Sequence, residues 1–308
     1  FERHKLKGLP RMRPTFVMKV AETVIFVYVL DKPIPMFKKF QIACVLLLLL
    51  AIQMPSYAQQ DTIRLLCIGN SFSWDAVEQE LAPLCAEGKT PIIIGNLYYG
   101  GCSLEQHFTF LQKDTAVYSF RYIEHGVRNV TEKYTLRQAL QLCQWDYISL
   151  QQASHDSGIK DSYEPYLASL IDSVRTYQPK AQLCWMQTWS YSQDAKHPAF
   201  PRYGKSQQVM DDSIQNATQA LMARYPQLLL IPCGEAIRLA RLTKLGDTLC
   251  RDGYHLSYEY GRYTASCVWY EILTHKNCRH NAYKNDKMTC KQKRLTQKAA
   301  HKAVQSLK

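Results

Sequence analysis

The sequence predicts an α/β protein: a three-layer α/β/α sandwich around a mainly parallel sheet of five strands. Two observations carry that reading. Short apolar runs of strand length alternate with segments whose apolar residues recur at helical spacing, an order that implies parallel pairing through right-handed crossovers. Four of the runs also empty into small, polar or aromatic segments, Gly69-Asn70-Ser71, Gly100-Gly101, Gln151-Gln152 and Thr188-Trp189. In such a sheet ligands collect beyond the carboxyl ends of the strands. No internal repeat or low-complexity linker interrupts the pattern, so a single domain over residues 59–308 is expected.

The first strand is read at Thr62 to Leu66, and Ala76, Val77, Leu81 and Leu84 give the helix behind it. Pro91 to Leu97 is the second strand, followed by the loop Tyr98 to Ser103 and a helix near Leu104 to Leu111. A helix over Tyr134 to Cys143 leads into the third strand, Trp145 to Leu150. Tyr163 to Tyr177 is an amphipathic helix, and Ala181 to Gln187 the fourth strand. A helix of about 205–225 precedes the fifth strand, Leu228 to Ile231, closed by Pro232. Helices over Glu235 to Lys244 and Tyr258 to Leu273 follow. The last, basic helix (about Lys291 to Ser306) carries an Ala299, Ala300, Ala303, Val304 and Leu307 stripe suited to docking.

The ends of the chain read differently from its middle. Met36-Phe37-Lys38-Lys39, an apolar run from Ala43 to Ile52 and Ser56-Tyr57-Ala58 form the pattern of a signal peptide over 36–58. The run is too short for a permanent bilayer span, so cleavage after Ala58 and export to the periplasm or beyond are expected, an uncleaved anchor being the competing reading. Residues 1–35 are then an upstream extension that is not native. The net formal charge of +12 divides into +6 over residues 1–60, +9 over 276–308 and −3 between them. The middle therefore offers no basic face for nucleic acid. Cys67, Cys143 and Cys184 fall in apolar segments, whereas Cys233 with Cys250, or Cys278 with Cys290, are spaced so that they could pair. No metal-ligand spacing is found among the nine histidines, and no cofactor is called for; His107 and His125 read as structural.

Ser71 follows a strand and opens a helix, where a hydroxyl is exposed and backbone N–H groups lack helical partners. An acyl-transfer nucleophile needs an accessible oxygen and donors aimed at the developing oxyanion. A serine there also serves simply as a helix cap. Far downstream, Asp252 and His255 stand three apart on one loop, with Gly253 easing the turn, and supply a base with an orienting carboxylate. Read alone, that pair is equally a capping Asp and a surface His.

Taken together, Ile68-Gly69-Asn70-Ser71-Phe72-Ser73, Tyr99-Gly100-Gly101-Cys102-Ser103-Leu104, Leu150-Gln151-Gln152-Ala153-Ser154 and Asp252-Gly253-Tyr254-His255-Leu256-Ser257 resemble the SGNH (GDSL-type) hydrolases. More narrowly, they resemble DUF4886, a domain family of Bacteroides-type bacteria, over about residues 62–304. The resemblance implies a flavodoxin-like sandwich and an esterase, often acting on acetyl groups of carbohydrates. It implies Ser71 as nucleophile, His255 as base and Asp252 as its partner. The oxyanion donors it implies are the N–H groups of Ser71 and Gly101 (or Gly100) and the Gln152 amide. Two departures stand out: Gln151-Gln152 replaces the usual Gly-x-Asn block, and Asn70 stands where many relatives carry Asp. Asn70, Gly100, Gln151, His155, Trp189 and Tyr254 are the candidate substrate contacts; Tyr98, Tyr99 and Tyr191 lie in the same loops. The expected partner is a small or glycan ester. A glycan-binding protein with weakened catalysis, motivated by the two glutamines, is the alternative; polar, aromatic site loops disfavour a lipase-like channel.

Overall fold

The computed structural model describes residues 62–307. Expectations for the upstream extension, the signal peptide and its cleavage site lie outside the described residues. The elements in chain order are β1 (Ile63–Gly69), α1 (Ser71–Val77), α2 (Leu81–Glu87), β2 (Ile92–Tyr98), α3 (Leu104–Gln112), β3 (Tyr118–Glu124) and β4 (Val127–Tyr134). They continue with α4 (Leu136–Gln141), β5 (Tyr147–Leu150), α5 (Tyr166–Tyr177), β6 (Gln182–Met186) and α6 (Gln207–Arg224). The chain ends with β7 (Leu229–Ile231), α7 (Cys233–Arg241), α8 (Gly261–Thr274) and α9 (Cys290–Gln305).

One sheet of seven strands runs in the order β4-β3-β2-β1-β5-β6-β7. The five central and right-hand strands are parallel, with β1 between β2 and β5, and β6 and β7 following in line. β1 shows why three layers form. Leu65 and Cys67 enter one core with Phe72, Leu81 and Trp269, while Leu66 and Ile68 enter the other with Leu104, Leu140 and Leu170. Over Leu65 to Ile68, where the strand is buried on both faces, every side chain is apolar.

The expected sheet had five strands; the hairpin of β3 and β4 adds two, paired antiparallel on the outer side of β2. It turns at His125 and Gly126, both with positive φ (51° and 76°), the backbone of a tight hairpin turn. Tyr134, read as the start of a helix, closes β4 instead. The helix begins two residues later, under a capping box in which Thr135 accepts from the Gln138 N–H and the Gln138 side chain accepts from the Thr135 N–H. The basic C-terminal helix docks as its stripe suggests: Ala299, Ala300, Ala303 and Val304 are buried. The ten described cysteines are all free thiols, so neither spacing-based pair is joined.

His107 on α3 is fully buried, its Nδ1 2.9 Å from the Tyr118 hydroxyl and its ring stacked on that tyrosine. Burial pushes its pKa down to about 3 from the ordinary 6.5. The folded state therefore holds the ring neutral, while the unfolded chain takes up a proton below the ordinary value. The resulting stability is complete above that value and drains as pH falls towards the folded one, at about 1.4 kcal/mol per pH unit. In urea titrations at pH 7 and pH 5, the wild type is expected to lose about 2 kcal/mol more than His107→Gln. Equal losses for the two proteins would show that His107 is not the acid-sensitive group.

Candidate active site

Ser71 is the first residue of α1, immediately beyond the carboxyl end of β1, and is partly exposed. The capping role falls to its neighbour. Asn70 takes an extended backbone (φ −141°, ψ −152°), and its Oδ1 accepts the Phe72 N–H at 2.9 Å. Among the described residues no hydrogen bond engages Ser71 Oγ, and the Ser71 N–H donates to no protein group. A Cβ on Gly69 would run into the Ser73 side chain, so the chain needs glycine to pass from strand to helix here.

Beyond β2 the chain turns through Gly100 and Gly101, both exposed, with the Cys102 N–H donating to Tyr99 O at 3.2 Å. Gly101 has φ +66° and open space where a Cβ would stand, so backbone angle rather than crowding selects glycine. The Gly101 N–H, like that of Ser71, has no protein acceptor among the described residues. Asn70 ties this loop to the strand ends beside it. Its Nδ2 donates to Cys102 O at 3.0 Å, and its Oδ1 also accepts from Gln151 Nε2 at 2.8 Å.

Asp252 and His255 face each other across their loop, Oδ2 to Nδ1 at 2.7 Å. Asp252 Oδ1 accepts the N–H groups of His255 (2.8 Å) and Tyr254 (3.2 Å). Burial pushes the Asp252 carboxyl up, but these backbone donors and the His255 ring outweigh it, and the pKa lies below the ordinary carboxylate value. The pair stands on the same rim as Ser71. The His255 ring lies 6.2 Å, centroid to centroid, from that of Phe72, the residue after Ser71. Trp189, stacked on Phe72 at 4.2 Å, donates its Nε1–H to Tyr254 O at 2.8 Å. Among the described residues no hydrogen bond joins Ser71 Oγ to the His255 ring.

Four of the residues assigned from the sequence lie enclosed in the fold. Gln152 is sealed from solvent; its Nε2 donates to Ser162 O (3.1 Å) and Ser162 Oγ (3.0 Å), and its Oε1 accepts the Leu104 N–H. With both amide hydrogens held by Ser162, Gln152 has none left for an oxyanion. Gln151 and Asn70 are equally buried and bond to each other, within the wall of the rim. Trp189 is fully buried as well and supports Phe72 and the 252–255 loop from within.

His155 and Tyr254 are partly exposed, with Gly100 more so. Between the first two stands His197, which sequence reading passed over: its ring lies 6.4 Å from His155 and 4.9 Å from Tyr254, and Tyr254 lies 4.2 Å from His255. The four rings make a continuous wall leading away from His255. Burial, followed by the neighbouring His155 and His255, lowers the His197 pKa. Also passed over was Asp75, fully buried on α1 and bonded to Arg251, Arg262 and the Leu256 N–H; an acid inside the apolar helix behind Ser71 was its one signal. Among the described residues no group of three or more His, Cys, Asp or Glu side chains could hold a metal ion, and no helix is long and apolar enough to cross a membrane. A cavity of about 370 Å³ lined by Gly88, Tyr270, Lys276 and Asn281 lies near the start of β2, at the other rim of the sheet.

A family model described as a domain of unknown function, DUF4886, matches residues 64–303. A DUF4886 family protein from Bacteroides uniformis is 42% identical, with a TM-score of 0.78 over 80% of this chain and 95% of its own. A protein from Slackia heliotrinireducens, described as a candidate SGNH hydrolase, is 20% identical, with a TM-score of 0.50 over 69% of this chain and 100% of its own. No curated protein matches the chain. The order β2-β1-β5-β6-β7 of the parallel strands, the rim that gathers residues 71, 101 and 252–255, and the match over most of the chain agree: the protein has the SGNH-hydrolase fold and belongs to the DUF4886 family.

Proposed function

We propose that the protein is a serine esterase of the SGNH type. The observation that carries this reading is the 2.7 Å Asp252–His255 pair on the rim where Ser71 opens α1 with an uncommitted hydroxyl. In the proposed reaction Ser71 Oγ attacks the ester carbonyl and its proton passes to His255 Nε2. The carbonyl oxygen becomes an oxyanion facing the N–H groups of Ser71 and Gly101. Collapse breaks the bond to the alkoxy group, which leaves with the proton from His255. Water then attacks the acyl-serine by the same route and frees the acid.

The substrate we infer is an O-acetylated carbohydrate, met by an exported enzyme. The wall of Tyr254, His197 and His155 offers flat faces and polar edges to a sugar ring, whereas a long acyl chain calls for an apolar groove. The signal-peptide pattern over 36–58 supports export. One specific observation favours the alternative of a glycan-binding protein with weak catalysis: the Gln152 amide is spent on Ser162. Loss of one oxyanion donor costs about 10²–10³-fold in rate. A fluorophosphonate probe separates the two readings. Labelling mapped to Ser71 by mass spectrometry, with acetate released from acetylated xylan and little turnover of a palmitoyl ester, is the expected result. Absence of labelling in folded protein would favour the binding role, and N-terminal sequencing of secreted material tests cleavage after Ala58.

A further inference from the structure

The Asp252–His255 pair is held together within its own loop, so its placement against Ser71 must come from elsewhere. The loop closes on itself: the Arg251 N–H donates to His255 O at 2.8 Å, and the Ser257 N–H to Leu249 O at 2.7 Å. Besides the Trp189 bridge from Phe72 to Tyr254 O, it is fastened to the helix that bears Ser71 through one carboxylate. Asp75 stands four residues after Ser71 on α1, one turn along the helix, and is fully buried. Its oxygens accept from Arg251 Nη1 (3.1 and 3.2 Å) and from the Leu256 N–H (2.7 Å), and Arg262 Nη2 on α8 stands at 2.6 Å. Arg251 Nη1 also donates to Leu256 O, so guanidinium and carboxylate grip both polar groups of the residue after His255.

The surroundings fix the two arginines in turn. Arg262 donates to Gln79 Oε1 at 2.7 Å and lies over the rings of Trp74 (5.1 Å) and Tyr258 (4.5 Å). Arg251 covers the same Tyr258 ring at 4.7 Å. Every contact of Asp75 is a donor, so the ionised carboxylate is the form this geometry satisfies. A buried ion cluster of this kind is a poor way to gain stability, since packed apolar residues of similar volume often do as well or better. What it supplies is a directional link that a hydrophobic contact cannot give.

We propose that Asp75 is a positioning residue, which through Arg251 and the Leu256 amide sets the 252–255 loop at working distance from Ser71. The proposal rests on the esterase reading above. Misplacement of a reacting group by about 1 Å can cost about 10²-fold in rate, which sets the scale of the effect.

The test compares wild type with Asp75→Asn, which keeps the side chain's shape and removes its charge. The full chain is followed by steady-state hydrolysis of p-nitrophenyl acetate and by amide hydrogen exchange. The expected result is a kcat lowered about 30- to 100-fold with KM within threefold. Exchange should speed up at least tenfold over residues 251–257 and stay unchanged over α5. A kcat within threefold of wild type, or unaltered exchange of the loop, would overturn the proposal. So would exchange accelerated throughout the chain, which marks a merely structural role. Should Asp75→Asn fail to fold, Arg251→Met removes the same link from the exposed side, and the same changes in kcat and exchange support or overturn the proposal. If wild type itself neither turns over ester nor takes up fluorophosphonate, the esterase reading falls, and the exchange data alone decide whether Asp75 holds the loop.

Discussion

Ser71→Ala is expected to lower kcat for an activated acetyl ester by about 10⁶-fold, the scale seen when a triad serine is removed, with KM and melting temperature little changed. The split follows from what the side chain does in the fold. Asn70 supplies the helix cap, Ser71 Oγ takes part in no hydrogen bond among the described residues, and the residue is partly exposed. Deleting one such oxygen is worth at most about 0.5 kcal/mol in stability. The whole effect should therefore fall on bond formation, read as kcat from acetate release, while thermal unfolding serves as the control. Residual turnover close to wild type would mean that another nucleophile, or water directly, carries out the hydrolysis.

Asp252→Asn should reduce kcat by about 10²–10⁴-fold, through orientation of the base rather than loss of the nucleophile. The asparagine oxygen can still accept the N–H groups of Tyr254 and His255 that Asp252 Oδ1 holds at 3.2 and 2.8 Å, so the loop keeps its shape. In place of the carboxylate oxygen at Nδ1, however, it presents an amide that favours the wrong tautomer of the imidazole. The wild-type pH profile should carry a matching signature. Asp252 has its pKa lowered in the fold, so the stabilisation it gives is present above the ordinary carboxylate value and is lost only as pH falls through the still lower folded value. Between pH 5 and 8 no loss of stability should then belong to Asp252. Thermal unfolding that falls more steeply with acidification over that window in wild type than in Asp252→Asn would contradict the lowered value.

The parts of this molecule that could be read in advance are those whose signals are local. The stretch Ile92 to Ile94 is apolar because β2 is buried on both faces there. β4 went unseen for the opposite reason. Seven of its eight residues are exposed, so Val127 to Tyr134 carries no alternation that burial would impose. β3 keeps no strict alternation either: Tyr118 and Phe120 enter one core and Ile123 the other. At the site, the Asp-x-x-His loop and the Gly-Asn-Ser turn were visible because each is complete within a few residues. The fate of Gln152 was not, since it depends on Ser162 folding back through the 155–163 segment to take the amide. Nor was the tie between Asp75 and Arg251, whose partners meet only when the last third of the chain closes over α1.

The Asn70 junction has a bearing on how far the Gly-Asn-Ser turn can drift. Its amide is read at both ends: oxygen towards Phe72 and Gln151, nitrogen towards the carbonyl of Cys102. An aspartate in that seat would keep the first pair of partners and turn a second oxygen on the carbonyl, setting acceptor against acceptor in a spot closed to water. An Asp at position 70 therefore calls for a shifted 100–102 backbone, so the asparagine and the Gly100-Gly101 loop act as one structural unit.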